Sequence, residues 1–276
     1  MIDHKNQQKT VSRRIYKVTL KTLSPFRIGG IADPLSQADN PIAIVGGRPC
    51  VPGSTLKGAL RAEIERWLLN SAYDAQERKW RNDELRPCVP SSNLSPDEKR
   101  LVQEQRYRGN ACRYGGSNRD SGDQEANEKR PTICPVCYLL GAQGLVGFVS
   151  VPFLFAEPGY QNLYSSSIDR ASGTVKKGTN RPYQLVPQGA EFSGELEILL
   201  EDSFLGWKLG SPRPLKENPK ADAWLENKQF TPDELAQFVI DRLTSIEHIG
   251  GYRSKGCGRV KITVEPLDGK PEEQRG

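Results

Sequence analysis

Polar and apolar residues alternate through IYKVTLKTL at 15–23, where Tyr16, Val18 and Leu20 fall on one face and Lys17, Thr19 and Lys21 on the other. A period of two predicts a half-buried strand. The period lengthens in TLKGALRAEIERWLLN. Leu56, Leu60, Ile64, Trp67 and Leu68 recur at helical spacing there, and Ser54 is placed to cap, so a helix is predicted over about 54–70. Strand character returns in LVGFVSVPFLF (145–155) and in EFSGELEILLE (191–201), where Phe192, Leu196, Ile198 and Leu200 share a face. Thr231, Pro232 and Glu234 form a capping box ahead of Leu235, Phe238, Val239, Leu243 and Ile246, which predicts a second helix. RVKITVE (259–265) supplies a last strand with Val260, Ile262 and Val264 inward.

The succession strand, helix, strand, strand, helix, strand predicts an α+β fold: a ferredoxin-like (RRM-like) βαββαβ core with two helices on one face of an antiparallel sheet. The whole chain is then a single domain, with core segments at about 15–70, 145–155 and 191–265. A polar, charged insertion occupies about 71–137, and a basic excursion at about 160–190 protrudes as a thumb. Because fold does not give function, the chemistry is to be sought in these excursions.

Composition narrows the reading without deciding it. The 276 residues, 36 % of them apolar, suffice for one elaborated core. No stretch approaches the roughly 20 consecutive apolar residues of a membrane span, and the start MIDHKNQQKTVSRR lacks a secretory apolar segment, so a cytoplasmic protein is expected. A net charge of +5 permits nucleic-acid binding without demanding it. With only His4 and His248, a paired-histidine acid–base mechanism has little material, and any nuclease activity would rest on carboxylates, a metal ion or substrate alignment.

Six cysteines in such a chain read as thiols or metal ligands rather than disulfides. Cys134 and Cys137 form CPVC on a turn, with Cys88 and Cys112 upstream, and four thiolates complete a tetrahedral zinc shell. The alternative is CPVC alone as a redox or incidental pair; Cys50 and Cys257 read as packed thiols. The run IGGYRSKGCGRVKI sets Gly250, Gly251, Gly256 and Gly258 around Arg253 and Lys255, which suits a phosphodiester chain or, equally, a structural turn. Gly53 and Ser54 head a helix carrying Lys57 and Arg61, either a backbone-binding groove or a solvated face. Ile168, Asp169, Arg170, Lys176, Lys177 and Arg181 make the basic arm, which lies along a nucleic acid or is simply solvated. Asp33 and Asp39, between glycines and prolines, read as turn formers or as acids that position a cation beside bound phosphates.

Taken together, SPFRIGG, ADNPIAIVGGRPCVPGSTLKGALR, CPVCYLLGA, SIDRASGTV, LVPQGAEFSGELEI and IGGYRSKGCGRVKI resemble, in order, the RAMP superfamily, and most closely the backbone subunit of type III CRISPR effector complexes. The resemblance implies a subunit that stacks along guide CRISPR RNA with other effector subunits, copies of itself among the candidates. SIDRASGTVKKG would be a thumb that displaces a nucleotide of the guide–target duplex at regular intervals. It further implies cleavage of target RNA, dependent on magnesium or another divalent cation, by an acid aligning with Asp39, with Asp33 second. Arg27, Ser54, Lys57, Arg61, Ile168, Asp169, Arg170, Gly251, Arg253 and Lys255 are the RNA contacts expected. Two other readings stand beside it: a non-catalytic scaffold of the same complex, and a CRISPR RNA-processing endonuclease. The stacking motifs of ordinary RNA-recognition modules are not visible, so backbone contacts should dominate, with weak sequence preference and strong salt dependence.

Overall fold

In the computed structural model, the residues described are 9–30, 39–91, 93–114, 132–216, 218–226 and 228–267. The strands are β1 (Val11–Thr22), β2 (Ile44–Val45), β3 (Arg48–Val51), β4 (Tyr73–Asp74), β5 (Lys79–Trp80), β6 (Val149–Ser150), β7 (Leu154–Ala156), β8 (Gln161–Ser165), β9 (Arg181–Leu185), β10 (Glu191–Asp202), β11 (Trp207–Lys208) and β12 (Val260–Pro266). The α-helices are α1 (Gly53–Ala72), α2 (Pro96–Gln103), α3 (Pro135–Leu140) and α4 (Pro232–Thr244). The main antiparallel sheet runs β12-β1-β10-β7-β3-β2, with β6 and β11 also on β10, while β4–β5 and β8–β9 are separate hairpins. The fold is therefore mixed α+β about an antiparallel sheet.

The alternating pattern explains the register. Leu20 stands opposite Phe192 on one side and Ile262 on the other, so the apolar faces of β1, β10 and β12 coincide and all three side chains are buried. Leu56, Leu60, Ile64 and Leu68 of α1 enter the same core. Trp67, expected to point inward, is 41 % exposed and instead meets the edge of Phe238 from α4 at 4.8 Å between ring centroids. The predicted capping box of α4 is present in full, Thr231 and Glu234 each bonding the other's backbone.

Two expectations change in detail. The cap of α1 is Pro52, not Ser54, whose exposed side chain sits in the first turn. The first residue of α1, Gly53, lies against the 151–152 backbone: a Cβ there would come within 2.7 Å of the Val151 carbonyl oxygen. The continuous strand expected over 145–155 is broken into β6 and β7 around Pro152, which has no amide to give a ladder. Gly194 of β10 makes room for the bend, since a Cβ on it would stand 2.4 Å from the Phe153 oxygen.

CPVC is likewise not a turn in a polar excursion. Cys134 caps α3 and Cys137 lies within it, and every residue of α3 is buried in the main core. Tyr138 anchors this helix by donating to the Ser211 carbonyl (2.9 Å) and accepting from the Gly210 amide (3.0 Å). Its ring also carries the fully buried Arg213, 4.8 Å from centroid to guanidinium, whose charge is met by two 2.8 Å bonds to Asp222. No helix among the described residues is long and apolar enough to cross a membrane.

Candidate metal centre and nucleic-acid interface

Arg108 assembles the ligand loops. Its backbone pairs with Cys88, and its guanidinium bonds the Thr132 oxygen (2.8 Å) and the Glu84 oxygen (2.7 Å), drawing the segments before Cys88, around Cys112 and before Cys134 together. The result is four buried thiols, Cys88, Cys112, Cys134 and Cys137, whose sulfurs all lie within 4.8 Å of one another. The Cys88–Cys137 pair is 3.5 Å apart and Cys134–Cys88 is 3.9 Å. A disulfide needs about 2.05 Å, whereas a tetrahedral zinc with bonds of about 2.3 Å sets its sulfurs about 3.8 Å apart. Donor type, count and spacing thus fit a metal such as zinc. Left to themselves the thiols conflict: hydrogen bonds from its neighbours pull the Cys88 thiol far down, while burial pushes Cys134 well up. A divalent cation resolves that conflict by favouring four thiolates.

Arg61 is turned toward this cluster. One Nη lies 3.5 Å from Cys137 Sγ, and the other reaches Cys88 Sγ at 3.3 Å and the Cys88 oxygen at 2.9 Å. Nε stands 2.7 Å from Glu65 Oε1, an ion pair set off the hydrogen-bonding direction. Burial opposes charge on Arg61, but Cys137 and Glu65 outweigh it and hold the guanidinium protonated. Burial also pushes Glu65 up to about 7, less than it would without Arg61 beside it, and Tyr107 Oη donates to its second oxygen at 3.4 Å. Arg61, Cys88, Cys112 and Cys137 border a cleft of about 950 Å³ that also reaches Ser54 and Lys57.

The second constellation gathers segments distant in sequence. The chain at 26–30 pairs with 186 through Phe26 and Val186, and with 41–43 through Gly30 and Ala43. Asn40 bridges to Tyr183 on β9, and the Gln184 side chain accepts from the Ile42 amide (3.2 Å). The glycine-rich run closes over the same strand: the Gly251 amide bonds the Arg27 oxygen (2.9 Å) and the Gly258 amide the Pro25 oxygen (2.9 Å). Gly250, at φ +91°, has to be glycine because a Cβ would lie 2.3 Å from the Arg27 oxygen.

Where these segments meet, Tyr252 and Tyr183 form an edge-on pair at 5.6 Å. The Arg27 guanidinium lies 4.9 Å and the Lys255 ammonium 4.5 Å from the Tyr252 centroid. Gly251 and Lys255 are exposed, and Arg253 folds back on the His248 and Gly250 oxygens (3.3 and 3.4 Å). Asp39, next to Asn40, is exposed at the margin of the same cluster; Asp33 lies outside the described residues.

The stretch expected to act as a thumb, about 160–190, contains the β8–β9 hairpin, and near its tip Ile168 bridges Val175, both more than 60 % exposed. Asp169 shapes the turn, its carboxylate accepting from the Ser172 and Ala171 amides (2.9 and 3.0 Å), bonds that also lower its pKa. Arg170 is exposed beside it.

Arg27, Lys255 and Gly251 are thus brought together beside the Asp39 segment. Ser54 and Lys57 stand apart from them on α1, and Arg61 faces the thiols. Sequence reasoning passed over Tyr183, Gln184, Tyr252, Glu65 and Tyr107. A tyrosine inside a run of glycines was the one signal available for any of them.

Comparison with known proteins gives one family, the RAMP superfamily, whose model matches residues 19–261. No curated protein matches the chain.

Proposed function

The chain belongs to the RAMP superfamily, and on that premise we propose that it is a backbone subunit of a type III CRISPR effector complex that grips guide RNA and cuts complementary target RNA. RAMP proteins bind CRISPR RNA together with other effector subunits, and membership makes this chain a CRISPR-associated RNA-binding protein. The strand order β12-β1-β10-β7 supports the ferredoxin-like reading of the core, because the first predicted strand sits between the last and the third. The observation that carries the functional reading is the convergence of Arg27, Lys255 and Gly251 beside Asn40, the neighbour of Asp39.

In this reading Arg27, Lys255 and the exposed backbone at Gly251 hold phosphates of the guide. The exposed hairpin bearing Ile168, Asp169 and Arg170 wedges into the guide–target duplex. Asp39 is the acid that helps place a divalent cation or align a 2′-hydroxyl for attack on the neighbouring phosphorus. The thiol cluster is a structural zinc centre, since four thiolates leave no open coordination position.

One observation favours the scaffold alternative. Among the described residues the cysteines are the only group of three or more potential ligand residues, so Asp39 is not joined by two further ligands from among them. The two readings separate in a reconstituted guide-loaded complex. With magnesium present, Asp39→Ala is expected to slow target cleavage by about 100-fold or more while guide binding stays within about twofold. An unchanged cleavage pattern would leave a scaffold.

A further inference from the structure

Tyr252 occupies a conformation that an aromatic residue rarely adopts. Its φ of +60° and ψ of +29° are left-handed, a region that glycine and asparagine enter with least strain. The surrounding loop has four glycines, yet this strained position carries a bulky ring. Backbone bonds from the Lys255 amide (2.8 Å) and the Cys257 amide (3.2 Å) to the Tyr252 oxygen hold the turn. Those bonds need no side chain, so the turn alone does not explain the tyrosine.

The ring's neighbours do. Arg27 and Lys255 both approach within 5 Å of its centroid, and each cation is favoured there by something negative beside it. The π-face is that element. Arg27 Nη2 is tethered to the Pro41 oxygen at 3.3 Å, while its Nε is buried and makes no hydrogen bond with the described residues. Lys255 also faces Tyr183 at 5.9 Å.

Resting on the RNA-binding reading above, we propose that Tyr252 is a positioning residue: its ring holds Arg27 and Lys255 as a preformed two-cation clamp for one RNA phosphate, and through Tyr183 fixes that clamp relative to the Asp39–Asn40 segment. The strain at Tyr252 persists because the ring cannot be supplied from elsewhere in the loop. Free of RNA, the two charges are compensated by aromatic faces. A bound phosphate then meets cations already in place instead of two mobile side chains.

The test measures binding of a single-stranded RNA oligonucleotide to the full chain by fluorescence anisotropy across a salt series, with thermal melting in parallel. Tyr252→Phe keeps the ring and is expected to bind within about twofold of wild type. Tyr252→Gly and Tyr252→Asn suit a positive φ and should melt at or above the wild-type temperature. Both are expected to bind about 10-fold more weakly, with the slope of log affinity against log salt shallower by about 0.7, as for one lost phosphate contact on a single strand. Gly and Asn variants that bind like wild type with an unchanged slope would overturn the proposal. So would a fall in melting temperature in both, which would make the ring a fold element, or a Phe variant as weak as Gly. Wild type failing to bind at low salt would instead bring down the RNA-binding reading itself, and this inference with it.

Discussion

The thiol centre and the cationic cluster solve opposite problems. The first is buried in the core, its thiols drawn from three segments of the chain, 88, 112 and 134–137, and held by α3, by Arg108 and by Arg61. The second lies at the surface and takes one or two residues each from five stretches: 26–30, 39–43, 183–186, 250–252 and 255. Burial makes the first a contributor to stability, and four sulfurs around one cation would leave no coordination position for a substrate even though three of the cysteines border a cleft. Exposure makes the second available to a ligand and contributes little to stability, because solvated charges are screened. Losing a residue from one should therefore destabilise the protein, and losing a residue from the other should weaken RNA binding.

That contrast can be broken at three places. Replacing Cys134 with Ser should have the largest effect, releasing bound zinc and costing about 4 kcal/mol, seen as a drop of about 10 °C in melting temperature and as lost metal by elemental analysis. A metal-free wild-type protein with the same melting temperature would make the centre dispensable. Arg61→Gln comes next: it removes the cation facing two sulfurs and leaves Glu65 buried without its partner, at about 2 kcal/mol and with faster zinc loss to a chelator. Should Arg61→Gln weaken RNA binding with melting and zinc retention unchanged, Arg61 belongs with the second cluster. The smallest effect on the fold is expected from Lys255→Ala, within about 0.5 kcal/mol of wild-type stability, with RNA affinity reduced about threefold to 10-fold at low salt and less at high salt.

The core was legible because its signal is periodic and local. Tyr16, Val18 and Leu20, or Leu56, Leu60 and Ile64, declare a face without reference to anything distant. The capping box at Thr231 is complete within four residues. What the pattern missed was set by close approach between remote segments. Nothing near Pro52 announces that Gly53 presses on Val151, and nothing in VSVPFLF shows that Gly194 will admit a bend there. The four cysteines that lie close enough together to hold a metal were readable from residue type, because thiols are few in the chain and four of them fall in one stretch, 88–137. The partners of Arg61 were not, because a Lys/Arg pair on a helix looks the same whether it faces solvent or sulfur. Tyr252 was hidden for a related reason: its meaning lies in Arg27, 225 positions away.

Helix α1 is fixed at two points, at Gly53 by contact with the Val151 backbone and at Arg61 by the cysteines. They are eight positions apart, which at about 1.5 Å per residue is about 12 Å of helix. The segment is in effect a gauge block between sheet and thiol cluster, tolerant of many exchanges along its outer side and of no change in length. Adding or deleting one residue between the two points would turn Arg61 by about 100° about the helix axis, so relatives that keep both contacts are expected to vary in letters over this stretch but never in count.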